Sequence, residues 1–264
     1  MADRERDYWW HLGRYEIIEQ YMSLALGDKK SEEVKILNIG AGTGGTIPSL
    51  EKFGDVLNAD VSDDAIKYLK KRGYKADKID GKTLPYETGT FDIVGAFDVL
   101  EHIEDDEAAL EEWARVLKPG GKIVLTVPAY EWLWTDHDVS LMHFRRHTKG
   151  SIRKKAMNVG LMSDKVSYAI VFSLPLVVGF RYLNKALRRK TTEETSYVNV
   201  PKWINDSFTN MLRLEAKGHK YMSYPAGTSV VAVLKKAANI HTTNKISRAK
   251  KSHPTSRKLR RSNK

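Results

Sequence analysis

The chain has 264 residues, 41% of them apolar and none of them cysteine; this is enough for one α/β domain with a buried core, and it excludes disulfides, cysteine-held zinc and a thiol nucleophile. The formal charge of +11 is not spread along the chain: from Lys235 to Lys264 there are eleven Lys and Arg and no acid, so the first 234 residues carry 33 charges of each sign and offer no broad phosphate-binding face. No uncharged apolar run reaches the roughly 18 residues of a spanning helix, and the charged, aromatic start MADRERDYWW has no apolar signal region. The expectation is a cytoplasmic protein.

Taken in order, Tyr8 to Leu26 carries a helical stripe (Ile17, Ile18, Tyr21, Met22) closed by Gly27. Val34 to Ile39 is a short buried strand, followed by a helix from Thr43 that tolerates Pro48 near its first turn. Val56 to Ala59 is a second strand ending in Asp60; Ser62 caps a helix over Asp63 to Lys71 with an acidic first turn, and Gly73 ends it. Tyr74 to Ile79 and Phe91 to Phe97 are strands three and four. A helix over Glu104 to Leu117, to which His102 is a candidate cap, stops at Pro119-Gly120-Gly121, and Lys122 to Val127 is strand five. Such alternation predicts a parallel, doubly wound sheet with helices on both faces. Beyond Pro128 come an aromatic loop, a helix near Ser151 to Asn158, a strand over Asp164 to Val171, helical sequence from Leu174 to Arg189, a helix around Ile204 to Leu214 and a β-branched strand, Ser229 to Leu234.

Gly40, Gly42 and Gly45 spell G-x-G-x-x-G, with Asp60 twenty residues after Gly40, the spacing of a dinucleotide-binding loop. Counted as Gly40, Gly42 and Gly44, the same glycines fit S-adenosylmethionine. Asn38 separates the two readings, because an amide oxygen inside strand one suits a methionyl ammonium. Asp60 can accept from ribose hydroxyls, and Asp80-Gly81 adds an acceptor where adenine could lie. Asp98, Glu101 and His102 fall at the carboxyl edge of strand four, where open α/β sheets bind ligands.

The ordered set DYWWHLGR, ILNIGAGTGG, LNADVS, KIDGKTLPY, FDIVGAFDVLEHIEDD, RVLKPGGKIVL, LWTDHDVSLMHFRRHT and YPAGTSVVAVLKK resembles the class I S-adenosylmethionine-dependent methyltransferases, specifically the type 11/23 group. The resemblance implies a Rossmann-like, seven-stranded sheet whose last strand inserts antiparallel, with helical additions before strand one and between strands six and seven. It also implies a cofactor pocket lined by Gly40, Gly42, Gly44, Asp60, Asp80 and Gly81, with Arg14 near the methionine carboxylate. Members usually have an acid where this chain has Asn38, and nearby Asp98 is the candidate source of the missing negative charge. The domain reading is a helical lid over 1–33, a methyltransferase domain over 34–236 with acceptor-site additions at 129–150 and 172–225, and a basic disordered tail over 237–264.

Methyl transfer to a hydroxyl needs in-line placement and help with the proton. His102, Asp138 and His143 are the candidate catalytic groups, with Trp134 as a pocket wall and Arg145 and Arg146 as anion binders. The spacing H-x5-H-x3-H over His137, His143 and His147 is too unspecific to indicate a metal, and none is expected. The acceptor is expected to be a small molecule or a lipid-linked one, methylated at oxygen. Val166 to Phe180, uncharged, reads as a strand and packed helix or as an interfacial surface on which the tail could meet an anionic membrane. An RNA-associated methyltransferase and a nicotinamide-dependent oxidoreductase are the alternatives.

Overall fold

The computed structural model describes residues 7–186 and 200–238. Its strands are β1 (Lys35–Ile39), β2 (Asp55–Asp60), β3 (Ala76–Lys78), β4 (Phe91–Phe97), β5 (Leu117–Pro128), β6 (Leu161–Ala169) and β7 (Ser229–Lys236). They form one sheet in the order β3-β2-β1-β4-β5-β7-β6. The first five pair in parallel, and β7 inserts antiparallel to both β5 and β6. The seven-stranded sheet with its last strand reversed is therefore present. The expected sixth strand starts three residues earlier, at Leu161, and Pro119-Gly120-Gly121 lies inside an irregular start of β5, where the register with β4 shifts.

The helices are α1 (Trp9–Leu26), α2 (Ile47–Leu50), α3 (Asp63–Lys71), α4 (Asp106–Val116), α5 (Asp136–Ser140), α6 (Lys149–Asn158), α7 (Ser173–Ala186) and α8 (Lys202–Gly218). The central strands β1 and β4 are buried along almost their whole length and mostly apolar, because both faces are covered. Leu37 and Val94 pack with Leu110 and Trp113 of α4 and Ile152 and Ala156 of α6. Ile36 and Ile93, one step away in the pleat, pack with Ile17 and Tyr21 of α1 and Leu212 of α8. The cap of α4 is Asp105, whose carboxylate accepts from the Ala108 N–H at 3.0 Å; His102 lies in a separate 3-10 turn, Leu100–His102, and is not the cap.

The two helical additions meet each other. A Cβ on Gly13 of α1 would overlap Leu212 of α8, so the glycine permits the close crossing. Tyr21 on α1 hydrogen-bonds His219 Nδ1 at 3.1 Å in the buried seam. Glu215 of α8 accepts from the Ile170 and Val171 N–H groups at 2.6 and 2.9 Å, fixing the turn after β6. Val166 to Ile170 is buried strand and turn, while Leu176 on α7 is 55% exposed, so the strand-and-helix reading of Val166 to Phe180 describes its first part. The continuation to Arg189 and the tail from residue 239 lie outside the described residues. Among the described residues, no helix is long and apolar enough to cross a membrane.

Candidate active site

β1 ends at Ile39, and the chain turns through Gly40 (φ 69°), Gly42 (φ 52°) and Gly44 (φ 80°), all left-handed. The three glycines do different things. A Cβ at Gly40 would overlap Val99, and one at Gly44 would meet Leu69 at 2.7 Å, whereas one at Gly42 meets nothing within 4 Å. Gly40 and Gly44 serve packing; Gly42 leaves space. The Asp60 carboxylate accepts from the N–H groups of Gly42 and Ser62, both at 2.8 Å, and so pins the loop to the end of β2. Asp80 accepts from the Lys82 and Thr83 N–H groups at 2.7 and 2.8 Å and from the Thr83 hydroxyl at 2.9 Å. Those bonds, the Lys82 amide foremost, hold its carboxyl below the usual range.

Asp60, Val61, Asp80, Gly81, Val99 and His102 line a cavity of about 1030 Å³ at the carboxyl edge of the sheet. A smaller one of about 160 Å³ is lined by His11, Arg14, Tyr15, Gly42 and Phe97, and Gly40 borders both. Together they run from the β2–β3 edge across the glycine loop to α1. Arg14 reaches in from α1, ion-paired to Asp98 at 2.7 Å, donating to the Thr126 hydroxyl at 3.2 Å and lying 5.1 Å over the Trp10 ring. Asp98 itself sits at φ 56°, a strained value for a non-glycine residue at a strand end.

Asn38 is not at the cavity. It is 1% exposed, and its amide donates to Asn58 Oδ1 at 2.9 Å, directly across the β1–β2 register. Asn58 in turn donates to the Lys75 carbonyl at 3.0 Å. The expected contact to a methionyl ammonium is therefore replaced by a buried amide pair between strands. An acid at this position would face another oxygen.

On the far side, the Phe144 N–H donates to the Glu101 carbonyl at 2.8 Å, which brings the 130–148 loop against the turn after β4. The His102 and His143 rings meet edge-on with centroids 4.6 Å apart. Burial, and then the neighbouring His143, lower the His102 pKa and favour its neutral form. Glu101 is fully buried; burial, and then the charge of Asp98, push its carboxyl well above the usual range.

Asp138 lies beneath. It has no exposed surface and accepts from Arg146 Nε and Nη2, both at 2.8 Å, from His143 Nδ1 at 2.9 Å, and from Thr135 N and Oγ1 at 2.8 and 2.9 Å. Burial raises its pKa, but these donors outweigh it and leave the carboxyl well below the usual range. Asp138 is thus a positioning residue for His143, and Arg146 is its counter-ion, fully committed within the protein. Arg145 does line the larger cavity, held by Asp106 at 3.0 Å and the Glu104 carbonyl at 2.6 Å. Trp134 is partly buried and, among the described residues, lines neither cavity.

Sequence reading named Glu101 without giving it a role, and it missed Thr126, Tyr15 and His11. Glu101 is signalled by its place as an acid within LEHI beside a candidate histidine, and His11 by its place inside DYWWHLGR; Thr126 and Tyr15 are brought to the site by tertiary contact and leave no local pattern.

Residues 37–125 match the family model described as a methyltransferase domain. The chain is 33% identical over 129 residues to a sterol 24-C-methyltransferase of Neurospora crassa, covering 45% of this chain and 32% of the relative. It is 32% identical over 101 residues to the 27-O-demethylrifamycin SV methyltransferase of Amycolatopsis mediterranei, covering 34% and 37%. The chain thus spans less than half the length of these curated relatives. A phosphoethanolamine N-methyltransferase 2 of Haemonchus contortus, solved with phosphomonomethylethanolamine and S-adenosylhomocysteine, superposes with a TM-score of 0.55 at 18% identity over 89% of this chain and 59% of that one, which shows a shared fold.

Proposed function

We infer that this chain is a class I S-adenosylmethionine-dependent methyltransferase whose acceptor is a small molecule or lipid-linked metabolite methylated at oxygen. The observation that carries the cofactor assignment is the loop itself. Gly42 leaves a bare Cα at the cavity wall, between Asp60, poised for a ribose, and the arginine-bearing face of α1. These residues fit the group: Asp60 for ribose hydroxyls, Asp80 and Gly81 for the adenine edge, Arg14 for the methionine carboxylate. When bound, the cofactor supplies an electrophilic methyl on sulfur.

The protein's part is then placement and proton control. His102, kept neutral by burial and by His143, borders the larger cavity and can take up or relay a hydroxyl proton, while Asp138 fixes the His143 ring. This histidine pair favours oxygen over carbon as the accepting atom. Sterol and rifamycin acceptors among the relatives support an apolar or lipid-linked substrate, and the exposed Trp132, Met142 and Phe144 on the 130–148 loop support apolar recognition near the mouth. A cytoplasmic location, with the basic tail resting on anionic surfaces, completes the reading.

Two measurements test it. Thermal shift with S-adenosylhomocysteine and with NAD should show stabilisation by the former alone; stabilisation by NAD alone would return the glycine loop to the dinucleotide reading, which the reversed β7 disfavours. Incubation with labelled cofactor and fractionated extract should then move label into the lipid or polar-metabolite fraction. Label in RNA, persisting after removal of residues 238–264, would sink the small-molecule acceptor.

A further inference from the structure

We propose that Glu101, His102 and His143 bind a divalent transition-metal cation beside the acceptor position. One ligand atom from each lies within 4.8 Å of the others. Neither Glu101 carboxylate oxygen has a hydrogen-bond partner, and the residue has no exposed surface. A buried, unpartnered carboxyl is costly, and a cation between it and two imidazoles removes that cost.

Both histidines are already held as metal-ligating histidines usually are, through one ring nitrogen. His143 gives Nδ1 to the Asp138 carboxylate at 2.9 Å, which leaves Nε2 as its ligand atom. His102 is hydrogen-bonded to the Leu141 backbone.

Two imidazoles with one carboxylate suit Zn²⁺, Mn²⁺ or Fe²⁺ better than Mg²⁺ or Ca²⁺, which take oxygen sets, and three protein ligands leave positions open. Ligands about 2.1 Å from a tetrahedral ion stand about 3.4 Å apart, so binding draws the trio together by at most about 1.4 Å from separations that lie within 4.8 Å.

His102 borders the same cavity as Asp60 and Gly40, so the open positions face the methyl-transfer cleft. The ion's role there rests on the methyltransferase reading; its binding does not. With the ion bound, His102 serves as a ligand instead of as a proton acceptor, and an acceptor hydroxyl in an open position would be acidified by the ion. The oxygen–methyl bond then forms as the sulfur–methyl bond breaks, sulfur keeps the electron pair and leaves as a neutral thioether, and the hydroxyl proton passes to water.

The test uses full-length protein stripped with a chelator and titrated with Co²⁺ as a visible-absorbing probe, with S-adenosylhomocysteine binding followed in parallel by calorimetry. We expect one equivalent of Co²⁺ with d–d bands, displaced by Zn²⁺ and not by Mg²⁺. Glu101→Gln and His143→Ala should each lose the bands while keeping S-adenosylhomocysteine binding, and His241→Ala in the tail should keep both. Zn²⁺ should raise the melting temperature of the wild type and not that of Glu101→Gln. Absence of bands in the wild type, or bands that survive both Glu101→Gln and His143→Ala, overturns the site. Co²⁺ binding without any S-adenosylhomocysteine binding would instead keep the site and sink the methyltransferase reading.

Discussion

The two sides of the cleft are held in place by different kinds of contact. On the glycine-loop side, each group at the cavity is fixed by its own strand end: Asp60 binds the amides of Gly42 and Ser62, and Asp80 binds the amides two and three residues after it. On the acceptor side, the turn after β4, the 130–148 loop and α1 converge through buried charge. Arg14 crosses from α1 to Asp98, Phe144 ties to Glu101, and Asp138 anchors both Arg146 and His143 with no solvent contact. A site built from strand ends depends mainly on backbone conformation, while a site built from buried ion pairs depends on every partner being present.

The largest expected effect follows from that difference. Arg146→Ala leaves the Asp138 carboxylate buried without its main counter-ion and should cost about 3–5 kcal/mol in denaturant unfolding. Asp138→Asn added to Arg146→Ala should recover part of the loss, since the orphaned charge is removed. A cost below about 1 kcal/mol for Arg146→Ala would mean that the acceptor side does not rest on this pair.

Acid should open the same side next. His147, whose N–H and carbonyl clip the loop to Pro128 and Tyr130, is 1% exposed, and burial pushes its pKa down to about 4. The unfolded chain, with an ordinary histidine pKa near 6.5, takes up the proton first. The stabilisation is therefore complete above pH 6.5 and is lost as the pH falls toward about 4, by up to about 3 kcal/mol. Unfolding free energy measured from pH 7.5 to 4 should fall along this limb, and His147→Gln should flatten it. Asp138 acts lower: its depressed pKa contributes stability above the ordinary carboxylate value that is lost only in stronger acid.

The same contrast explains how far sequence reading reached. Glycines at left-handed φ, an acid ending β2, an Asp-Gly after β3 and the reversed β7 each leave a local pattern or belong to a recognisable ordered set. Asp138, Arg145, Arg146 and His143 were visible as residue types in one loop, but nothing in HDVSLMHFRRHT says which of them pair with one another and which face a ligand. Burial decides that, and it turned Asp138 from an acceptor-site acid into an internal anchor. Asn38 failed for a related reason: its position at a strand end was readable, but its partner Asn58, twenty residues away, became visible only through the strand register.

On the glycine-loop side the expected effects are smaller and more specific. Asn38→Asp would set a carboxylate oxygen against Asn58 Oδ1, and Asn58 cannot turn to donate without giving up the Lys75 carbonyl. It should cost about 2 kcal/mol of stability and leave S-adenosylhomocysteine affinity nearly unchanged. A tenfold gain in affinity would instead show that position 38 faces the cofactor.

The smallest change in stability should come from Gly42→Ala, and it separates ligand space from packing within a single loop. The left-handed φ of 52° makes alanine cost about 1 kcal/mol, and no protein atom is within 4 Å of the added methyl. The methyl therefore protrudes where the ligand would lie, and S-adenosylhomocysteine affinity should fall by on the order of tenfold or more, equivalent to about 1.4 kcal/mol. Gly40→Ala pays the same backbone cost and in addition overlaps Val99, so it should unfold more readily, and Val99→Ala should restore part of that stability. No such second-site rescue should exist for Gly42→Ala, because what its methyl displaces is the ligand. If Val99→Ala instead rescued cofactor binding in Gly42→Ala, the glycine loop would be one packed unit and the division of labour between its glycines would fail.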